Sequence, residues 1–283
     1  MALMKLNSIL RCKPLLGTYV EISMTARRSD ADLVALSNRA FAAIQSIDQA
    51  MSFHRPTSEL TYINRHAYRR ACVLSPAMEE VLVQAAEISR QSDGLFDITV
   101  APDLIAQGLL PDLGIRPDHR AAWDDVVVTK GRVRFRKPLM IDLGGIAKGY
   151  AVDRAFSLCE GECVDLTVNA GGDLRTKLWQ KKPVLIRQNR RHTRLFQVDM
   201  RDTALATSAS YYEGGKNPII YPKTRQSMKH GRVVSMFAAN CMMADALTKI
   251  LSIDSESQGT NHRALYQRFN AKPMVFNSHA LMA

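Results

Sequence analysis

The chain has 283 residues, 46% hydrophobic and 23% charged, which excludes a disordered or fibrous chain and leaves room for one large domain or two modest ones around a sizeable core. Its formal net charge of +11 favours anionic partners, while no window approaches the ~18 apolar residues that a membrane-crossing helix needs. The densest basic run, Arg187 to Arg194 (RQNRRHTR), has no aromatic side chain on which a base would stack, so a solvated hairpin tip explains it better than a nucleic-acid surface.

The opening segment LLGTYVEISM alternates Val20, Ile22 and Met24 with Tyr19, Glu21 and Ser23, the period of a strand. A long helix is predicted from Asp30, its N-cap, with Leu33, Leu36, Ala40, Ile44 and Ile47 along one stripe. Thr57 or Ser58 caps a short helix that runs through Asn64. Ser75 and Pro76 open another helix as N-cap and first residue, and Gly94 closes it as the C′ glycine. LFDITVAPDLIAQGLL reads as an extended loop with a helical piece. WDDVVVTKGRVRFRKPLMIDL reads as two or three short strands, the first pair joined at Lys130-Gly131. GGIAKGYAVDRAFSLCEG is a glycine turn entering a helix, and CVDLTVNAGGDLRTKL is a strand ending in a second glycine turn. A hairpin and strand over KPVLIRQNRRHTRLFQVDMRDTALATSAS precede a loop, a strand and a helix ending in MADALTKILSI. A last helix and strand close the chain in HRALYQRFNAKPMVFNS. Hairpins outnumber β-α-β units, so the class is α+β with a mostly antiparallel sheet and packed helices. With no linker in view, residues 1–283 are expected to form a single domain, or two interwoven subdomains.

Five cysteines, Cys12, Cys72, Cys159, Cys163 and Cys241, fit a reducing compartment better than a disulfide framework. Cys159 and Cys163 lack a second Cys/His pair to complete a zinc site and are expected to be core or free thiols. The start, MALMKLNSILRCKPLLGTYVEI, has no signal-peptide pattern, so a cytoplasmic protein is expected.

Four stretches have chemistry to offer. IDLGGIAKGYAVD, residues 141–153, ends a strand in two glycines and places Lys148 in the first turn of a helix, which suits a phosphate as well as a plain tight connection. It is no Walker A loop, because Tyr150 follows Gly149, and Gly144, Gly145 and Gly149 miss the Rossmann register. VNAGGDLR sets Asp173 just after a glycine pair, and SDGLFDITVAP sets Asp97 among apolar residues. In MADALTKIL, Asp245 and Lys249 are four residues apart and share a helix face, either as a solvated ion pair or as part of an anion- or metal-handling site.

Taken in order, PLLGTYVEI, MSFHRPTSELTYIN, SDGLFDITVAP, IDLGGIAKGYAVDRA, VNAGGDLR, ATSASYY and MADALTKIL resemble the ApbE family of FAD:protein FMN transferases, from about Pro14 to Leu251. The resemblance implies a T-fold-like α+β architecture. It also implies an enzyme that binds FAD and, with magnesium, passes FMN to a threonine or serine of an acceptor protein. Carried over by motif, Asp142 and Lys148 lie against the FAD, while Leu16, His54, Asn64, Leu95, Phe96, Asp97 and Ile220 line its flavin end. The Gly145 carbonyl and the Asp245 carboxylate face the metal, and Asp245 with Lys249 forms the catalytic edge. That edge departs from the family pattern. Lys249 stands where the family has a metal-ligating threonine, with Thr248 one residue earlier. A protonated ammonium has no lone pair for magnesium, so metal dependence is in question and Lys249 is a candidate to occupy the cation's place. Pro218, Tyr221 and Arg225 replace a histidine, an aspartate and a glycine, Ala209 replaces a glycine, and His54 replaces a tyrosine. The alternatives are a catalytically impaired FAD-binding relative, acting as carrier or partner protein, and an FAD pyrophosphatase. No nucleic acid and no membrane segment are expected.

Overall fold

The computed structural model describes residues 5–178, 180–187, 195–209, 217–228, 233–256 and 262–276. The basic run therefore lies outside the described residues except for Arg187, and the proposed tip is not tested. The chain begins with a hairpin, β1 (Asn7–Leu15) and β2 (Thr18–Ala26), where a single strand from Leu15 is predicted. Its turn, Leu16-Gly17, has φ of 56° and 69°, the double left-handed geometry that matches strand twist. Val20, Ile22, Met24 and Ala26 point into the core, while Tyr19 on the opposite face is 71% exposed, so this strand has one dry side and one wet side.

Helix α1 (Asp30–Met51) follows, capped by Ser29, whose hydroxyl accepts from the Asp32 amide at 3.2 Å, rather than by Asp30. Ser58 caps α2 (Glu59–His66). After β3 (Cys72–Val73) comes α3 (Pro76–Gln91), with Ser75 as its N-cap and Pro76 in the first turn. Its C-terminus comes one residue earlier than predicted. Asp93 takes the left-handed C′ position at φ 51°, and Gly94 behind it donates to the Ser89 carbonyl at 2.8 Å. A 3-10 turn over Ile98–Val100 leads into α4 (Ala101–Ala106), the helical piece of the extended loop. Strands β4 (Val126–Thr129) and β5 (Arg132–Phe135) turn at Lys130-Gly131 as predicted, and β3 pairs with β5 to give a small sheet. The third strand of that stretch does not form. Residues 138–143 run irregularly because Ile141 donates to the Asn64 amide oxygen (2.8 Å) and Asp142 donates to the Ile98 carbonyl (2.8 Å), so neither amide enters a ladder.

Helix α5 (Ala147–Ser157) leads to β6 (Asp165–Ala170), the Gly171-Gly172 turn and β7 (Asp173–Lys177). The pair β8 (Lys182–Arg187) and β9 (Leu195–Met200) is followed by β10 (Thr203–Ser208), the two-residue strands β11 (Ile220–Tyr221) and β12 (Gln226–Ser227), and β13 (Val233–Ala238). Helix α6 (Cys241–Glu256), α7 (Arg263–Arg268) and β14 (Lys272–Phe276) complete the chain. The main sheet has seven strands in the order β1-β2-β6-β7-β10-β13-β14, every pair antiparallel. Helix α5 packs between α1 and α6, and all three pack against this sheet. The principal core lies between them, and a smaller cluster of Leu174, Ile186, Met200 and Leu205 seals the β8–β9 hairpin. The α+β, mostly antiparallel class is what the structure shows. Among the described residues no helix is long and apolar enough to cross a membrane.

Candidate active site

Two helices and two hairpin turns build the site. Helices α5 and α6 approach so closely at Gly149 that a Cβ there would lie 2.3 Å from the Cys241 carbonyl oxygen and 2.7 Å from the Met242 Cα. Only glycine leaves that space. The contact is latched by Asp153 on α5, which accepts from the Cys241 and Met242 amides at 2.9 and 2.8 Å and so satisfies the free N–H groups that open α6. Arg175 of β7 holds the same carboxylate at 2.9 Å while its guanidinium covers the Phe156 ring. Replacing Asp153 with alanine strips both caps and leaves Arg175 without its partner. Asp153→Ala should cost about 2 kcal/mol in urea unfolding, and an unchanged midpoint would remove the latch from the account.

On this frame the ionic groups converge. Asp245 is fully buried. Its Oδ1 accepts from the Lys249 ammonium at 2.7 Å; its Oδ2 accepts from the Gly149 amide at 3.2 Å and lies 3.6 Å from the Lys148 ammonium. Lys148 also makes a close hydrogen bond to Asp173, which the β6–β7 glycine turn delivers to the spot. The Lys249 ammonium further reaches the Ser208 hydroxyl (3.1 Å), the Thr248 hydroxyl (3.1 Å) and the Asp245 carbonyl (3.3 Å). The i,i+4 spacing thus produces a buried charge cluster, not a solvated pair.

Burial disfavours every charge in the cluster, and neighbours decide the outcome. Burial would lower the Lys148 ammonium, but Asp173 and Asp245 outweigh it and raise its pKa. Burial would raise Asp245, but Lys148 and Lys249 prevail and hold it below the usual carboxylate range. Asp173 goes the other way, raised by burial and by repulsion from Asp245. Asp142 and Asp97 are likewise raised by burial. Asp142 accepts from the Gly144 amide at 3.0 Å, and Asp97 accepts from the Thr99 amide and hydroxyl at 2.7 and 2.8 Å.

Lys148, Lys249, Asp173, Asp142 and Asp97 border a cavity of about 610 Å³. One corner carries Lys148, Lys249, Asp173, Ser208 and Gly145; the lining also includes the apolar side chains of Leu16, Leu95, Phe96, Leu104, Leu109 and Leu110, with the Phe96 ring 3.7 Å from where a Cβ on Gly145 would stand. His54, Asp97, Asp142 and Ile220, all expected in the site, also lie on the wall. Two expected residues do not. Asn64 is buried, and its amide is spent on the backbone of Ile141, donating to the carbonyl at 3.0 Å and accepting from the N–H. It shapes the chain leading into Asp142 instead of touching the cavity. Asp245 sits behind the two lysines and is absent from the wall.

Other residues enter that were given no role. Asp173 stood in a noted motif, and the glycine pair before it was the available signal. Asn217 lines the cavity with its Nδ2 buried and without a hydrogen-bond partner among the described residues, leaving a donor for whatever fills the space. Arg225 keeps a left-handed φ of 56° in a position where glycine is at ease. Its guanidinium offsets that strain by reaching the Thr99 carbonyl (3.1 Å), Asp103 (3.3 Å) and the Ala121 carbonyl (2.5 Å), which ties the β11–β12 hairpin down on the cavity rim.

A divalent cation held by Asp245 and the Gly145 carbonyl does not suit this donor set. Both oxygens of Asp245 are taken, and the Lys249 stem packs against Gly145, its Cγ and Cε each 3.4 Å from where a Cβ would stand. Thr248 is buried, bonded to Ser208 and to the Asp245 carbonyl, and does not line the cavity. Among the described residues no group of three or more His, Cys, Asp or Glu side chains forms a metal cluster.

The family model described as ApbE matches residues 16–269. In sequence the chain is similar to the FAD:protein FMN transferase of Chlamydia pneumoniae, 28% identical over 266 residues that cover 84% of this chain and 82% of that protein. It is similar also to the FAD:protein FMN transferase of Vibrio cholerae, 25% identical over 284 residues covering 87% and 81%. In fold it is similar to the solved flavin transferase ApbE from Vibrio cholerae, with a TM-score of 0.81 at 21% identity, covering 96% of this chain and 94% of that one. The ApbE protein from Thermotoga maritima gives 0.80 at 23% identity, with 95% and 94% covered. The motifs in order, the antiparallel sheet with its glycine turns and the extent of the match agree: this chain belongs to the ApbE family.

Proposed function

We propose that the chain is an FAD:protein FMN transferase. The observation that carries this reading is the mixed lining of the cavity, two ammonium groups at one corner together with many apolar side chains, which suits a ligand that joins a diphosphate to a flat aromatic ring system. The acceptor's serine or threonine oxygen attacks the FMN-side phosphorus of FAD. A new P–O bond forms to the hydroxyl, the bridging P–O bond breaks, AMP leaves with the bridging oxygen, and the hydroxyl proton passes to solvent. Such a transfer asks for positioning and charge neutralisation more than for covalent chemistry. Lys148 neutralises phosphate charge, the α5 N-terminus faces the same corner, and the apolar lining with Asn217 orients the ring and excludes water.

A second reading has one observation behind it. Pro218 on the rim has no proton to move, and Arg225 is spent on structural hydrogen bonds, which suits a protein that holds FAD without transferring it. Incubation with FAD and a peptide pool rich in serine and threonine, followed by chromatography for AMP and mass spectrometry for an FMN adduct, decides between them. AMP with an adduct is expected. AMP and free FMN in equal amounts means hydrolysis, and bound FAD recovered intact means the holding protein.

A further inference from the structure

Lys249 has the surroundings of a bound cation. Four oxygens lie within 3.3 Å of its Nζ: Asp245 Oδ1, Ser208 Oγ, Thr248 Oγ1 and the Asp245 carbonyl. Those oxygens come from α6 and β10, so the shell is assembled by the fold and not by one flexible loop. The side chain is threaded through the gap beside Gly145, where a Cβ would meet its Cγ and Cε at 3.4 Å. Its neighbour Lys148 lines the same corner of the cavity, and Asp245, the anion that pairs with both, is withdrawn from the wall. A ligand entering that corner meets two ammonium heads with the Asp173 carboxyl beside Lys148, while the carboxylate of Asp245 lies behind them.

We propose that the Lys249 ammonium is a built-in cation that takes the place of a divalent metal, so that a diphosphate is held between Lys249 and Lys148 with no metal added. This rests on reading FAD as the ligand. Its physical basis is that a point charge with rotatable donors neutralises phosphate oxygens as a hard cation does, and that Lys249 and the Gly149 amide between them occupy the two carboxylate oxygens of Asp245.

The test is calorimetric titration of the purified full chain with FAD, in chelator and in magnesium, repeated with Lys249→Thr and Lys249→Met after circular dichroism has shown each variant folded. The parent is expected to bind FAD with the same Kd, within about twofold, in both buffers. Lys249→Thr should bind about tenfold or more weakly in chelator and recover in magnesium; Lys249→Met should stay weak in both. The parent's own response needs no variant. If magnesium tightens its binding about tenfold or more, the built-in cation is overturned while the FAD reading stands. Should Lys249→Met bind as tightly as the parent, the proposal also fails, because the ammonium then has no part in holding the ligand. If the folded parent binds FAD in neither buffer, the FAD reading falls and this inference with it.

Discussion

Lys148→Met should lower stability by about 3 kcal/mol and abolish turnover of FAD. Methionine keeps the length of the side chain and removes its charge, which leaves Asp173 and Asp245, 4% and 0% accessible, without the ammonium between them. Breaking a buried pair by removing one partner costs about 3–5 kcal/mol, and the lower end applies because 34% of the Lys148 side chain is open. The loss has a pH signature. Asp173 already has a carboxyl pKa raised above 3.8, and without Lys148 it rises further. A carboxyl raised in the folded state is destabilising once ionised, so its favourable contribution is complete below 3.8 and disappears as pH rises through the folded-state value. Urea midpoints of Lys148→Met should therefore fall below the parent's more at neutral pH than in mild acid, and the double variant Lys148→Met/Asp173→Asn should regain part of the stability and none of the turnover. A deficit that does not change with pH would mean that Asp173 does not depend on Lys148.

Gly149→Ala should be as damaging for a different reason. The added methyl meets the Cys241 carbonyl oxygen at 2.3 Å and carbon at 2.6 Å, and these are backbone atoms at the start of a helix, which cannot swing aside. The helices must part, at a cost of about 3 kcal/mol, or roughly 6–12 °C in melting temperature for a chain of this size. Parting them also moves Asp245 relative to Lys148, so FAD binding should weaken along with stability. A variant that melts with the parent would show that α5 and α6 are more yielding than their contact implies.

Most of the helices were legible because their signals are local. Ser58 and Ser75 do as capping chemistry requires, and the two glycine-bearing turns at 130–131 and 171–172 fall where the dipeptides put them. Asp245 and Lys249 were legible as a pair because helical spacing alone puts them on one face. What stayed hidden depends on partners far along the chain. β1 escaped notice because none of its residues is fully buried, so its alternation is faint. The irregular run before Asp142 looks apolar enough for a strand, but its amides are claimed by Asn64, 77 residues away, and by Ile98. Asn64 was expected at the flavin end, and nothing local in its short helix shows that its amide is spent on the Ile141 backbone. Asp153 is one more charged helical position in the sequence, although two of the bonds it accepts come from amides 88 and 89 residues on. No spacing rule announces such contacts, whereas the family resemblance named residues around the cavity, of which Asn64 and Asp245 lie off its wall.

The Gly149 contact has a further consequence for how this site changes over time. The separation of the two helices is set there by main chain against main chain, so the position of the cavity walls does not depend on which side chain stands at 249. Exchanging a neutral residue for a lysine at that position changes the electrical character of one corner and leaves its geometry alone. On the proposal that Lys249 stands in for a divalent metal, one substitution on an unchanged scaffold replaces a diffusible ion with a charge carried by the chain itself.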